Sequence, residues 1–505
     1  MTLLIKNVHI IGGEGIMPDP ADVFITGDKI SAIGSFPNKK ADVIVDAQGA
    51  QLTPGFIDLN TDSDHFLSIF DDPGQEDFLQ QGVTTILGGM CGSSLAPLLY
   101  GGLESIQKWT SIQATNVSWH RVEEFLLMLS KKPLGVNFGT LVGHSTIRRS
   151  LVGEAIRNLS KSELSVFGET LGRGIREGAM GFSTGLSYVH SRLTPYSEIK
   201  SLAQITKSYN GLYATHLRNI SEGISESVGE TIKLAKETKV RTLISHFIPI
   251  IGAEREYEEA LAMIDALPKS LDFHFDIYPH HTTVRPLYTF LPQWSQNGGH
   301  EVMVKNIDEE WLLQKILKDL PEIKPDDFIV ANVPSDYSLA GKSLKDLMKL
   351  YGIKNSKEAL IKLMKTTGLR ATILYKEVNH DLMKKALKSK RALIASNAAS
   401  FKPSDPRKMF KAKGTFNTFM EFLNLATKEH LMTFEEAIRK ITLEPAKKLG
   451  LEGRGIIKEG YIADLAGIKE GEVKFTIVNG VLAYKGGEFQ GWFPGRVLRH
   501  RIPTA

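Results

Sequence analysis

Cysteine is nearly absent from this chain, with one residue, Cys91, in 505. A single thiol excludes an internal disulfide framework and fits a reducing compartment. Long apolar runs are also missing. No stretch approaches the roughly 20 residues that a membrane-spanning helix needs, so no membrane association is expected. Nor is charge of one sign gathered into a block. The 61 Lys and Arg against 57 Asp and Glu leave a net charge of +4 spread along the chain, which gives no warrant for nucleic-acid binding. The one basic run, Lys384 to Arg391, reads as a solvated helix end. The opening MTLLIKNVHIIGG has no basic leader, long apolar segment or cleavage site. The expectation is a cytoplasmic protein that acts on a small molecule; its oligomeric state is unknown from sequence.

With 42% apolar and 23% charged residues, the chain has the composition of an ordinary globular protein with a sizeable core. Residues 1–52 carry short strand patterns (Leu3–Val8, Val23–Thr26, Lys29–Ile33, Val43–Asp46). The tail repeats that character at Ala463–Ile468, Lys474–Val478 and Val481–Tyr484, with Asn479-Gly480 as a hairpin turn. Both ends are therefore expected to build one small β-sandwich from 1–52 plus 453–505. Between them, over 53–452, strand-like and helix-like patterns alternate, as in βα units around a parallel sheet. Eight strand candidates stand out: Gly55–Leu59, Val83–Gly88, Val136–Val142, Ala179–Ser183, Leu212–Thr215, Thr242–Ser245, Leu271–Ile277 and Ala392–Ala395. They predict an α/β fold, a TIM-type (β/α)8 barrel. Ile220, Ile224, Val228, Ile232 and Ala235 trace one apolar helix face between the fifth and sixth. The gap between the seventh and eighth is too long for a plain βα unit and predicts an inserted subdomain over about 285–390.

Chemistry in such barrels sits at the carboxyl ends of the strands. There the chain places Asn60, Asp62, Asp64 and His65 after strand one, Cys91 after strand two and His144 after strand three. Tyr188 follows strand four, His216 strand five and His246 strand six; Tyr278 and His280 follow strand seven, and Asn397 strand eight. His216 and His246 are thirty residues apart, the length of one βαβ unit, so they belong on adjacent strands at one level. With Cys91 in the same mouth, the set is two imidazoles and a thiolate, which suits Zn2+ and leaves a position for water. His280 and His281 are further possible ligands. Tyr188 and Tyr278 are candidates for contact with substrate. The glycine-rich loop around Cys91 lacks the Lys-Ser/Thr of a phosphate loop.

Two sets of stretches carry a resemblance. Pro54–Asp58 and Gly460–Leu465 are similar to landmarks of the amidohydrolase superfamily. Gln81–Thr85 with Cys91-Gly92, Gly178–Gly185, Ala214–Arg218, Ile244–His246, Asp276–Pro279, Leu291–Trp294, Glu444–Gly455 and Pro494–Leu498 resemble the D-aminoacylase (N-acyl-D-amino-acid deacylase) group within it. The resemblance implies a metal-dependent hydrolase of non-peptide C–N bonds, with one zinc held by Cys91, His216 and His246. It also implies a substrate-side role for Arg407 and for His144, in Gly143-His144-Ser145-Thr146-Ile147-Arg148. Three further features of the family pattern are changed here. A His-x-His after strand one is replaced by Asn60-Thr61-Asp62, which removes the second metal position. The catalytic aspartate after strand eight is replaced by Asn397, which carries no transferable proton at neutral pH. A lysine for the substrate carboxylate is replaced by Ile248. One reading is a single-zinc amide hydrolase with Asp62 as the substitute base. The alternative is a catalytically impaired barrel that serves as a ligand-binding or scaffold protein.

Overall fold

The computed structural model describes residues 1–13, 19–100, 102–106, 109–110, 117–402 and 410–502. Its centre is a ring of short strands: β1 (Phe56–Asp58), β2 (Val83–Gly88), β3 (Asn137–Thr140, resumed at Val142–Gly143), β4 (Gly181–Gly185), β5 (Leu212–His216), β6 (Arg241–Ile244), β7 (Phe273–Ile277) and β8 (Ala392–Ile394). Neighbours in this order pair in parallel from β1 to β8. The ring closes just beyond the last residues of β8 and β1. Ser396 N–H donates to the Asp58 carboxylate (3.1 Å), Asn397 N–H to Asn60 O (2.9 Å) and Asp62 N–H to Ala398 O (2.8 Å). The eight strands are those expected from the sequence, in a TIM-type barrel.

Strand alternation divides the apolar residues between two cores. Ile57, Leu87, Met180, Leu212, Ala214, Leu243 and Leu393 fill the interior, continuous with the core of the segment between β7 and β8. Phe56, Phe138, Phe182, Tyr213, Ile244, Phe275 and Ile394 face outward onto the helices. The helix between β5 and β6 runs over Ile224–Thr238, so Ile220 lies ahead of it. Gly223, with φ 75°, sets the boundary. The basic run ends the helix His380–Lys388, and Arg391 beyond it donates to the carbonyls of Leu271, Phe273, Leu267 and Pro268.

Between β7 and β8 the chain forms an antiparallel three-stranded sheet from Thr282–Pro286, Thr372–Lys376 and Phe328–Asn332. Four helices cover it: His300–Asp308, Glu310–Asp319, Leu344–Tyr351 and Ser356–Thr367. Glu309 separates the first two of these helices. The two ends of the chain share one eight-stranded sheet, in which Val43–Pro54 joins Thr2–Ile10 on one side to Leu465–Lys469 on the other. Val23 and Ile25 from one end share a core with Phe475 and Ile477 from the other, so the sheet folds over itself as a sandwich.

Asp464 fastens sandwich to barrel. Its carboxylate pairs with Arg454 and accepts from Asn479 N–H (2.7 Å) and from the amide of Asn137 on β3 (3.1 Å). Both partners of the ion pair are buried, with side chains 8% and 5% exposed. Asp464→Ala leaves Arg454 buried without its counter-charge, and the expected loss is about 3–5 kcal/mol of unfolding free energy. Urea titration measures it, and a loss below about 1 kcal/mol contradicts the assignment.

Candidate metal centre and its cavity

A cavity of about 670 Å³ opens at the carboxyl end of the barrel. Cys91, His216 and His246 all line it. Each arrives there by a different backbone device. On β5, alternation puts Leu212, Ala214 and His216 on the inner face. On β6, Leu243 faces in and Ile244 out, so an unbroken strand extension sends His246 outward. Instead His246 takes a left-handed backbone (φ 36°), and its ring turns into the cavity. Cys91 is also left-handed (φ 52°), in a loop where Gly89 (φ 73°) lies so close to β3 that a Cβ there would sit 2.3 Å from Leu141 O. Such backbone strain persists only where surrounding structure holds it.

The three side chains form a compact donor set, their ligand atoms all within 4.8 Å of one another. Cys91 Sγ and His246 Nε2 are 3.3 Å apart. A tetrahedral zinc with Zn–S about 2.3 Å and Zn–N about 2.0 Å needs an S···N edge of about 3.5 Å. Donor chemistry and spacing therefore both fit zinc. Burial holds the His246 imidazole down to about 4, so it is neutral, as a ligand must be. Its backbone N–H donates to the buried carboxylate of Asp276 (2.7 Å), which also receives the Asn60 amide (3.3 Å).

Asp62 lines the same cavity and is itself held. His65 Nδ1 lies 2.7 Å from Asp62 Oδ1, and His65 Nε2 lies 3.1 Å from Ser93 O. Both ring nitrogens face oxygens that only accept, so the ring is an imidazolium. Burial opposes that charge, but the carboxylates of Asp64 and Asp62 outweigh it and raise His65 to about 9. The contact fixes the orientation of the Asp62 carboxyl group.

Tyr188, Tyr278, Asn397 and Ile248 also line the cavity. Burial pushes both phenols well above their ordinary value, so each keeps its proton. Asn397 is left-handed as well (φ 49°). His144 is placed elsewhere. The third strand breaks at Leu141, and His144 then opens the helix His144–Val152. Its Nε2 meets Glu198 at 2.8 Å in the helix layer, against the rings of Phe167 and Phe182. His144 therefore does not line the cavity, a correction to its expected substrate-side role. His280 meets Thr418, and His281 packs on His380; neither joins the donor set. Arg407 lies outside the described residues. Sequence reading gave no role to His65, Asp276 or Arg192. His65 had a signal in its three-residue spacing from Asp62; Arg192 had none.

Asp58 and Asp276 are both raised to about 7 by burial. Between about pH 4 and 7 the folded chain holds protons that the unfolded chain has released, so stability falls as pH rises through that window. Asp58→Asn removes one such proton while keeping an acceptor for Ser396, and its stability is expected to decline less from pH 5 to pH 7. The difference is at most about 1.4 kcal/mol per pH unit. Parallel declines in urea titrations at the two pH values argue against a protonated Asp58.

Comparison with known proteins finds relatives along nearly the whole chain. Residues 296–483 match the model of the Amidohydrolase family. A D-aminoacylase of Alcaligenes xylosoxydans xylosoxydans is 27% identical over 523 aligned residues, covering 98% of this chain and 97% of that protein. An N-acyl-D-aspartate deacylase of the same organism is 26% identical, covering 92% of this chain and 84% of that one. Among solved structures, that of a D-aminoacylase superposes with a TM-score of 0.81 at 24% identity, over 99% of each chain. An N-acyl-D-glutamate deacylase from Bordetella bronchiseptica, complexed with zinc and a phosphonate inhibitor, gives 0.80 at 22% identity, over 99% of each chain. At that identity the structural likenesses carry the fold.

Proposed function

We propose that this chain, an amidohydrolase resembling D-aminoacylase, hydrolyses the amide bond of a small N-acylated amino-acid-like substrate at a single zinc held by Cys91, His216 and His246. The observation that carries the reading is the convergence of one thiol and two imidazoles on the wall of the barrel cavity. The deacylase relatives supply the class of bond. When bound, zinc supplies Lewis acidity that polarises a carbonyl and acidifies water.

The rest of the chemistry belongs to side chains. Asp62, oriented by its bond to His65, accepts the proton of the attacking water. It then returns that proton to the leaving nitrogen as the C–N bond breaks. Tyr188 and Tyr278 keep their phenol protons and donate to substrate oxygens. Ile248, Leu217 and Leu291 give the cavity apolar wall. Asn397 contributes an amide that orients substrate without exchanging a proton.

A second reading has one observation in its favour. Where a transferable proton is expected after β8, the cavity carries the amide of Asn397. On that reading the barrel binds an acylated ligand without turning it over, as a sensor or scaffold.

Two experiments decide. Cys91→Ala and His216→Ala are expected to lower zinc below 0.1 equivalent by plasma mass spectrometry, where the parent protein holds about one. Stoichiometric zinc in the Cys91→Ala protein removes the centre. Asp62→Asn is expected to keep zinc and to lose about 10²- to 10⁴-fold in kcat, the size of a proton-transfer contribution. Unchanged turnover removes Asp62 from the mechanism. A zinc-loaded parent protein that hydrolyses no acylated amino acid supports the second reading.

A further inference from the structure

Among the described residues three guanidinium groups line the cavity: Arg192, Arg218 and Arg285. Two are neutralised in place. Arg218 grips both oxygens of Glu230, at 2.9 and 3.2 Å. Arg285 Nη1 lies 3.0 Å from Glu377 Oε2. Arg192 differs, since its Nη2 donates to Ser187 O (3.2 Å) and to Gln296 Oε1 (3.1 Å), both neutral oxygens. Burial presses against its charge, yet a guanidinium stays protonated. A half-buried cation that faces a ligand cavity with only neutral acceptors is an electrostatic vacancy for an anion.

The position of Arg192 is set with care. Arg218, anchored on Glu230, donates to the carbonyls of Arg192 and Thr194 and so holds the loop after β4. Arg192 N–H donates to Tyr188 O (2.9 Å), which continues that loop's turn. From the segment between β7 and β8, Gln296 spends its amide N–H on Leu291 O (2.6 Å), so its Oε1 is the end turned to Arg192. Ser187, whose carbonyl meets Arg192, reaches His216 Nε2 with its hydroxyl at 2.7 Å. Ser187 thus bonds both the guanidinium and one member of the donor set. Of the other carboxylates lining the cavity, Glu222 and Glu226 are exposed, where water and salt weaken them, Glu256 accepts from Gly223 N–H (2.6 Å), and Asp62 meets His65.

We infer that Arg192 is the specificity-determining anchor for an anionic group of the substrate, a carboxylate, which it holds across the loop after β4. The inference rests on the amide-hydrolase reading and adds to it the residue that meets the substrate's carboxylate. At the position facing the cavity from β6 stands Ile248, which offers no charge. The anion is therefore met from the β4 side.

The test uses the zinc-loaded full chain and two probes that differ only in charge, N-acetyl-D-leucine and N-acetyl-D-leucinamide. Binding is read by titration calorimetry and turnover by amine release. The parent protein is expected to bind the carboxylate at least 10-fold more tightly than the carboxamide. Arg192→Met is expected to weaken carboxylate binding about 10- to 100-fold, the range of a charge-assisted hydrogen bond, and to leave carboxamide binding within about twofold. Arg192→Lys is expected to fall between, since it restores charge without the planar fork. The carboxamide reports on folding inside the same variant. No charge preference in the parent protein, or a preference that survives in Arg192→Met, overturns the anchor while leaving the hydrolase reading intact. If the parent protein neither binds nor cleaves either probe, the hydrolase reading fails and the anchor fails with it.

Discussion

The seam between β8 and β1 is the constraint on which the molecule depends. A parallel barrel has no edge only if its last strand reaches its first, and here contact is made just past the ends of both. Asp58, buried at that seam, accepts the Ser396 N–H, and the chain beyond it interlocks through Asn60, Asp62, Asn397 and Ala398. Because the seam lies at the carboxyl end, the residues that close the barrel also floor the cavity. Asp62 and Asn397 are held in place by the backbone bonds that complete the ring.

Strain is concentrated at the same end. Cys91, His246 and Asn397 all take left-handed backbones, which costs about 1–3 kcal/mol each for residues with a Cβ. Neighbouring groups hold them there: Asp276 receives the His246 N–H, Ser183 meets Gly92 N–H in the Cys91 loop, and Asn60 O receives Asn397 N–H. Buried charge follows a similar logic. The His65 imidazolium is possible in the interior only because Asp62 and Asp64 flank it, and in return it orients the carboxylate that faces the cavity. Burial moves the buried titratable groups of this end in opposite directions, with Asp58 and Asp276 raised to about 7 and His246 lowered to about 4.

Asp464 and Asn137 do for the two-domain arrangement what Asp58 does for the ring. One buried carboxylate collects a guanidinium and two amide donors from sandwich and barrel. The segment between β7 and β8 is tied in through the cavity itself. Gln296 and Glu377 meet Arg192 and Arg285, and Ile251 N–H donates to Glu377 O from the loop after β6. The cavity wall is therefore built jointly by barrel loops and the intervening sheet.

The sequence by itself determined the strand pattern, because period-two burial and Gly-bounded apolar runs follow from local geometry. It also determined which residues stand at strand ends, since that is a matter of counting from each strand. His216 could be placed inward this way, because alternation along β5 is unbroken. His246 could not, because its orientation depends on a backbone reversal supported by its bond to Asp276, distant in sequence. His144 shows the opposite failure: the break at Leu141 sends a residue that follows a strand into the helix layer, to meet a glutamate 54 positions away. The charge state of His65 and the neutral surroundings of Arg192 were likewise decided by tertiary structure. Both depend on which acceptors, distant in sequence, are brought within hydrogen-bond distance, and no local pattern encodes that.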